Sequence, residues 1–166
     1  IQFYGDGSLS IYSSATFALE CAMEIQLKFQ KDIAVPLRIG IHIGEVLISD
    51  GNVFGDGVNI AARIESLGQS GTIMFSEDVY QKIRNNNQFE TNRLGSFEFK
   101  NVDRPMQIYA LANKGFPVPK PESITGKLKT SSTKNESNSF SENGKVKSEV
   151  IPKISKKSIA VLSFVN

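Results

Sequence analysis

The side chains with the greatest capacity for chemistry lie in the run Asn52-Val53-Phe54-Gly55-Asp56-Gly57-Val58-Asn59-Ile60-Ala61-Ala62-Arg63-Ile64-Glu65-Ser66-Leu67. A glycine-rich turn leads into a helical pattern in which Asn59 and Arg63, at i and i+4, share one face. An amide offers donor and acceptor together, and a guanidinium offers a rigid fork of donors matched to phosphate oxygens. Held one turn apart, the pair has the reach to grip a ribose and a phosphate. The positions opposite, Val58, Ile60, Ala61, Ile64 and Leu67, are apolar and predict a helix anchored on a sheet, which would keep the polar pair still. Gly55 and Gly57 admit backbone angles that side-chained residues avoid, and Asp56 between them is placed to cap the helix through its carboxylate.

The flanking pattern supplies that sheet. Ile1 to Tyr4 and Leu9 to Tyr12 bracket Gly5-Asp6-Gly7-Ser8, the turn chemistry of a β-hairpin with Asp6 at its tip. From Ser13 to about Lys31, apolar residues recur at helical spacing behind Ser13 or Ser14 as N-cap. After Pro36, residues Leu37 to Ile48 form a β-branched strand in which Gly40 and Gly44 imply close approach by a neighbouring backbone or ligand. Beyond the Gly57–Leu67 helix come a strand at Thr72–Phe75, a helix from Ser76 to about Asn85, a strand-like region at Phe89–Lys100 and a strand at Met106–Ala112. Helices and hairpins interleave, which predicts an α+β sandwich, with the helices on one face of a mainly antiparallel sheet.

Several ordered blocks resemble one family, the class III adenylyl/guanylyl cyclase catalytic domain. Its members carry a similar G-x-x-V-N-x-A-x-R run. The likeness also takes in Gly5-Asp6-Gly7, Arg38-Ile39-Gly40-Ile41-His42-Ile43-Gly44-Glu45-Val46, Leu94-Gly95 and Phe99-Lys100-Asn101-Val102, over roughly the first two-thirds of the chain. The resemblance implies a ferredoxin-like nucleotide cyclase fold and conversion of ATP to cyclic AMP and pyrophosphate. In such a lyase the ribose 3′-oxygen attacks the α-phosphate with the help of two ions of Mg²⁺ or Mn²⁺. By the same carry-over Asp6 is a metal ligand, Asn59 orients the ribose, Arg63 stabilises charge at the α-phosphate and Lys100 meets the terminal phosphates. A first metal aspartate would lie on a strand upstream of Ile1, so these residues alone are expected to be inactive.

Base recognition departs from the commonest pattern. Adenylyl members place a lysine four residues before the metal aspartate and an aspartate three residues before the glycine of the helix turn; here Gln2 and Asn52 stand there. Two amides can satisfy the edge of adenine or, flipped, that of guanine. ATP is the expected substrate, because an amide pair can mimic the lysine/aspartate set. Guanylyl activity, or a catalytically silent cyclase-like module that dimerises or binds nucleotide, is the alternative. Because metal and base residues serve different composite sites in the family, a head-to-tail homodimer with two equivalent sites is expected. His42 alternates with Ile39, Ile41 and Ile43 and reads as a hydrogen-bonded sheet residue. Glu45, near the mouth of the site, is given no role.

Composition excludes other classes. The 166 residues carry a formal net charge of +2, with the lysines gathered in the C-terminal third, which argues against a nucleic-acid footprint. No apolar run approaches the roughly 20 residues that cross a bilayer, so the expectation is a cytoplasmic segment without membrane contact. The single cysteine, Cys21, forms no internal disulfide and reads as a small core residue. Residues 1–114 read as the cyclase domain. Residues 115–156, rich in Pro, Ser, Thr, Asn, Lys and Glu, read as a disordered linker. Residues 157–166 resemble the opening of a TolB-like domain of the kind found ahead of tetratricopeptide repeats, and the chain reads as a piece of a larger protein.

Overall fold

The computed structural model describes residues 2–4, 7–32, 35–49, 52–100 and 102–124, and the strand placement of 155–164. In chain order these residues form β1 (Gln2–Tyr4), β2 (Gly7–Tyr12), α1 (Ala15–Asp32), β3 (Leu37–Ser49), β4 (Asn52–Phe54), α2 (Asp56–Ser66), β5 (Ile73–Ser76), α3 (Glu77–Ile83), β6 (Thr91–Phe97), β7 (Met106–Leu111) and β8 (Ser155–Phe164), with a 3₁₀ turn at Pro121–Ser123. The eight-stranded sheet runs β1-β2-β8-β3-β5-β7-β6, and β4 pairs with the far end of β3. All pairings are antiparallel except β3 with β5. The α+β class and the mainly antiparallel sheet are therefore as the sequence implies.

The helices do not share one face. Strand side chains alternate, and here both sets are covered. Ile39, Ile41, Ile73, Phe75, Tyr109 and Leu111 pack with Ala15, Ala18, Leu19 and Ala22 of α1 and with Val79 and Ile83 of α3. Met74, Ile108 and Ala110, one residue out of phase, pack with Ile64 and Leu67 of α2. Ala61 of α2 joins Leu9, Val46 and Val53 in a third cluster. Each Leu, Ile or Phe buried in these layers contributes about 1.5–3 kcal/mol relative to exposure, so the two-sided burial dominates stability.

Two glycines of β3 make the α2 contact possible. A methyl group at Gly40 would lie 2.4 Å from Glu65 N and 2.5 Å from Ala61 O, and one at Gly44 would lie 2.7 Å from Gly57 Cα. The neighbouring backbone foreseen from the sequence is thus that of α2. At the helix start Gly55 has φ 136°, outside the range open to side-chained residues, and it is the N-cap; Asp56 is the first helical residue and makes no side-chain cap. Its carboxylate instead sits in the first turn, where the helix dipole favours negative charge. On α1 the expected cap does form, with Phe17 N donating to Ser14 Oγ at 3.2 Å.

Other boundaries shift for local reasons. Tyr4 pairs with Gly7, so Gly7 and Ser8 belong to β2 rather than to the turn. The hairpin β3–β4, with Leu47 opposite Phe54, was hidden because Asn52–Phe54 is too short to show alternation. Cys21 is half-buried rather than in the core. Residues 115–124 are not a free linker: Phe116 and Ile124 are buried and join the two main clusters. The rest of that segment, 125–154, lies outside the described residues. Ser155–Phe164 enters the same sheet between β2 and β3 instead of standing apart from it.

His42 occupies the α2 side of β3, 4 % exposed, with Nδ1 2.9 Å from Ser76 Oγ. Burial pushes its pKa below the ordinary 6.5, with Asp78 offsetting part of the effect. The fold therefore prefers the neutral ring, and the unfolded chain takes up the proton first on acidification. Stability is fully present above about pH 6.5 and falls as pH drops through that value toward the lower folded-state pKa.

Two outcomes follow from this packing. Gly40→Ala is expected to cost about 2–3 kcal/mol, since the added methyl meets backbone that cannot yield cheaply; urea denaturation monitored by circular dichroism measures it. Because His42 is the one histidine in the sequence, the urea midpoint should fall between pH 7.5 and pH 5.5, and His42→Gln should flatten that dependence.

Candidate functional site

The side chains singled out by type converge at the solvent side of α2. Asn59 is exposed and Arg63 half-buried on the face turned away from β3, while Gly57, Ala61, Ile64 and Glu65 are buried against the sheet. Arg63 Nη1 donates to the backbone carbonyl of Lys100, in the loop after β6. That bond ties α2 to the loop carrying the third predicted contact, and it leaves most of the guanidinium's five donors uncommitted. Lys100 itself is exposed. Asp56, Asn59, Ile60, Arg63 and Val102 together line a cleft of about 40 Å³. Beside it, Glu45, Val46, Leu47, Gly55, Asp56 and Gly57 border a more open cleft of about 300 Å³ at the start of α2.

The helix is held in azimuth by an ion pair on its hidden side. Arg38 Nε lies 2.7 Å from Glu65 Oε1, with side-chain exposures of 25 % and 8 %. Arg38 stands two residues before Gly40 on β3, so both face α2, one by making room and the other by supplying charge. The sequence carried a signal for this pair that periodicity alone passed over. Glu65 falls one turn after Ala61, on the buried stripe, and a carboxylate there requires a partner.

The remaining predicted residues are more scattered. Asn52 is exposed on β4, three residues before the Gly55 cap. Gln2 lies on β1 opposite Leu9. Asp6, the predicted metal ligand, lies outside the described residues. The structure thus brings Asn59, Arg63 and the Lys100 backbone together, sets Asn52 on the ribbon that leads into α2, and assigns Gln2 to a hairpin two strands away from β3 in the sheet. Among the described residues no three His, Cys, Asp or Glu side chains converge in a way that could hold a metal ion. Also among them, no helix is long and apolar enough to cross a membrane.

Comparison with known proteins identifies the family. The family described as the adenylate and guanylate cyclase catalytic domain matches residues 5–113. A Rhizobium meliloti (strain 1021) protein provisionally named adenylate cyclase 3 is 34% identical over 117 residues, covering 66% of this chain and 20% of that protein. An adenylate cyclase of Mycobacterium tuberculosis (strain ATCC 25618 / H37Rv) is 35% identical over 78 residues, covering 42% of this chain and 18% of its own. The chain thus spans about a fifth of the length of these relatives. Among solved structures, the adenylate/guanylate cyclase/hydrolase from Silicibacter pomeroyi is similar with a TM-score of 0.57 and 31% identity, over 64% of this chain and 74% of that one. The catalytic core of a rhodopsin-guanylyl cyclase with converted specificity, in complex with ATPαS, follows with a TM-score of 0.51 and 27% identity, over 59% and 57%.

Substitution at the Arg38–Glu65 pair measures how firmly α2 is held. Arg38→Met, which strips a buried carboxylate of its guanidinium, is expected to lower unfolding free energy by about 2–3 kcal/mol. The double variant Arg38→Met, Glu65→Leu should recover most of that loss in the same denaturation assay, since two apolar side chains carry no stranded charge.

Proposed function

This chain belongs to the adenylate and guanylate cyclase catalytic domain family, and from that premise we propose that it converts ATP to cyclic AMP and pyrophosphate at a site shared by two copies. The observation that carries the proposal is the pairing of Asn59 and Arg63 on the outer face of a helix whose inner face is clamped to the sheet. Cyclisation needs the 3′-oxygen in line with the α-phosphorus and a cation where charge develops on the phosphoryl oxygens. Asn59 orients the ribose through donor and acceptor atoms of one amide. Arg63, already positioned by the Lys100 carbonyl, meets the α-phosphate without having to reorganise. Lys100, in the loop that anchors Arg63, lies within range of the terminal phosphates. Gln2 and Asn52 read the base, and their amides favour ATP by substituting for a lysine/aspartate pair.

Divalent Mg²⁺ or Mn²⁺, held through Asp6, would supply Lewis acidity and neutralise the polyphosphate. The steps assigned to Asn59 and Arg63 are those of holding and orienting, and they do not depend on which ion is bound. A guanylyl cyclase core of converted specificity that holds ATPαS supports a nucleotide as the ligand class without choosing between ATP and GTP.

The cleft at Asn59 and Arg63, about 40 Å³, has room for a water or two, whereas ligand pockets run to about 300–1,000 Å³. The adjoining cleft of about 300 Å³ at the start of α2 is of that size but is lined by neither Asn59 nor Arg63. The β3–β4 ribbon presents Leu47, Ile48 and Phe54 at 39%, 51% and 53% exposure, and Phe3 on β1 stands at 78%. Apolar side chains this exposed on two hairpins support closure by a second copy, with Asp6 of one facing Asn59 and Arg63 of the other.

Cyclic nucleotide production by the full-length parent protein tests the reading. Arg63→Ala should lower kcat by about 10²-fold or more with little change in KM, the signature of a contact made in the transition state. Asp6→Ala should abolish turnover. Mixing these two inactive variants should restore about a quarter of the parental rate, because half of the dimers formed at random then hold one intact site of two. No recovery on mixing would sink the shared-site geometry, and faster turnover of GTP than of ATP would reverse the substrate assignment.

A further inference from the structure

After β7 the chain runs through a segment that is held on both faces of the sheet. Its start is pinned by Asn113, whose Oδ1 accepts from Glu90 N at 2.9 Å and whose Nδ2 donates to Gln88 O at 2.8 Å. Phe116, 7 % exposed, then packs in the cluster that includes α1 and α3. Val118 and Ile124 pack instead in the cluster of α2, on the opposite layer. Between the two, Pro117 lies over Gly71, where an added methyl would meet its ring at 3.0 Å. Gly71 has φ 87° and donates its N–H to Leu37 O at the start of β3. Ser123 closes the turn before Ile124, its N–H and its hydroxyl both donating to Lys120 O. The segment therefore passes around the end of the sheet where β3 and β5 begin, from one layer to the other.

The α2-side cluster lies directly behind two cations. It contains Ile64, the neighbour of Arg63, and Phe99, the neighbour of Lys100. Each residue assigned to the substrate's phosphates thus adjoins a side chain of the cluster that Val118 and Ile124 also join. We propose that residues 115–124 form a strap that positions Arg63 and Lys100, with Ile124 as its positioning residue, and that couples the chain beyond Ile124 to the phosphate end of the site. The strap's catalytic meaning rests on the roles proposed above for those two cations, whereas its packing does not. Ile124, 5 % exposed, fills volume shared by α2 and β6, and a close-packed interior passes displacement from one side chain to the next. With that volume empty, Ile64 and Phe99 relax toward the void. The bond from Arg63 to the Lys100 carbonyl spans the helix and the loop that would then shift. In-line chemistry turns a displacement of that kind into lost rate. Because Asn113 and Phe116 fix the other end on the far layer, motion applied beyond Ile124 is borne by the α2 cluster rather than by sliding of the whole segment.

Paired cavities on the two layers separate positioning from mere stability, measured in the full-length parent protein. Ile124→Ala empties the α2 side, and Ile83→Ala makes the same chemical change in the α1/α3 cluster, at a side chain 1 % exposed. Ile124→Ala is expected to lower kcat for cyclic nucleotide formation by about 10-fold with KM within about 2-fold, and Ile83→Ala to leave kcat within about 2-fold. Ile124→Val, one methyl smaller than the parent, should fold and keep kcat within about 2-fold. Amide exchange at residues 63–67 should rise at least about 10-fold more in Ile124→Ala than in Ile83→Ala. Equal loss of kcat in the two alanine variants, or equal exchange at residues 63–67, would overturn the strap and leave Ile124 as ordinary packing. If the parent forms no cyclic nucleotide, the reading of the reaction has failed, and the exchange comparison still decides whether Ile124 holds the Arg63 turn of α2.

Discussion

The structure depends on how closely α2 lies on β3. Hydrogen in place of a side chain at Gly40 and Gly44 lets helix backbone rest on strand backbone, where a single methyl would meet atoms at 2.4–2.7 Å. So close an approach restricts how far the helix can roll. Glu65, turned into the sheet, then meets Arg38, which fixes the helix along the strand as well as about its axis. Asn59 and Arg63 inherit their directions from these buried contacts. Two exposed polar residues on a helix would otherwise sweep wide arcs, and a reaction that needs in-line geometry tolerates little of that.

The same strand organises the sheet on its other side. Ile39 and Ile41 face α1 and α3 while Gly40 faces α2, so β3 is buried on both faces. A strand in that position must pair along both edges, since unpaired backbone groups cannot be left inside. β5 provides one partner over three positions and β8 the other over ten. Among the described residues the hairpin with Gln2 joins the body through β8 and through the packing of Leu9 and Tyr12.

Much of this was legible in the residues. Asn59 and Arg63 could be placed on one helix face because a period of 3.6 leaves no other arrangement, and the glycines of β3 announced a close backbone neighbour. His42 was readable as a core residue from its alternation with isoleucines, and it bonds Ser76 as such. The failures share a cause: each depended on long-range pairing. The helices were assigned to one face from the interleaving of helices and hairpins, which cannot say that two layers claim alternate residues of β3. Phe116 and Ile124 were lost in a polar composition average, although a single buried aromatic is enough to dock a loop. Residues 157–166 read as the opening of a further domain, and a strand has no address in its own sequence. Its partners are set by which edges are open.

The balance of charge on α2 bears on what Arg63 does. A guanidinium that faced Glu65 would be neutralised at close range, and an approaching phosphate would have to compete with a carboxylate. The fold prevents this by directing Glu65 inward to Arg38. Asp56, seven residues before Arg63, is two helical turns and about 10 Å away along the axis, too far for a direct bond. The anchor that Arg63 does have is the carbonyl of Lys100, a neutral dipole. A neutral acceptor fixes the position of the guanidinium while leaving its full charge for an anion. The anchoring residue is itself a lysine, so the loop that orients one cation contributes a second. Restraint without neutralisation is the electrostatic condition that the role proposed for Arg63 requires.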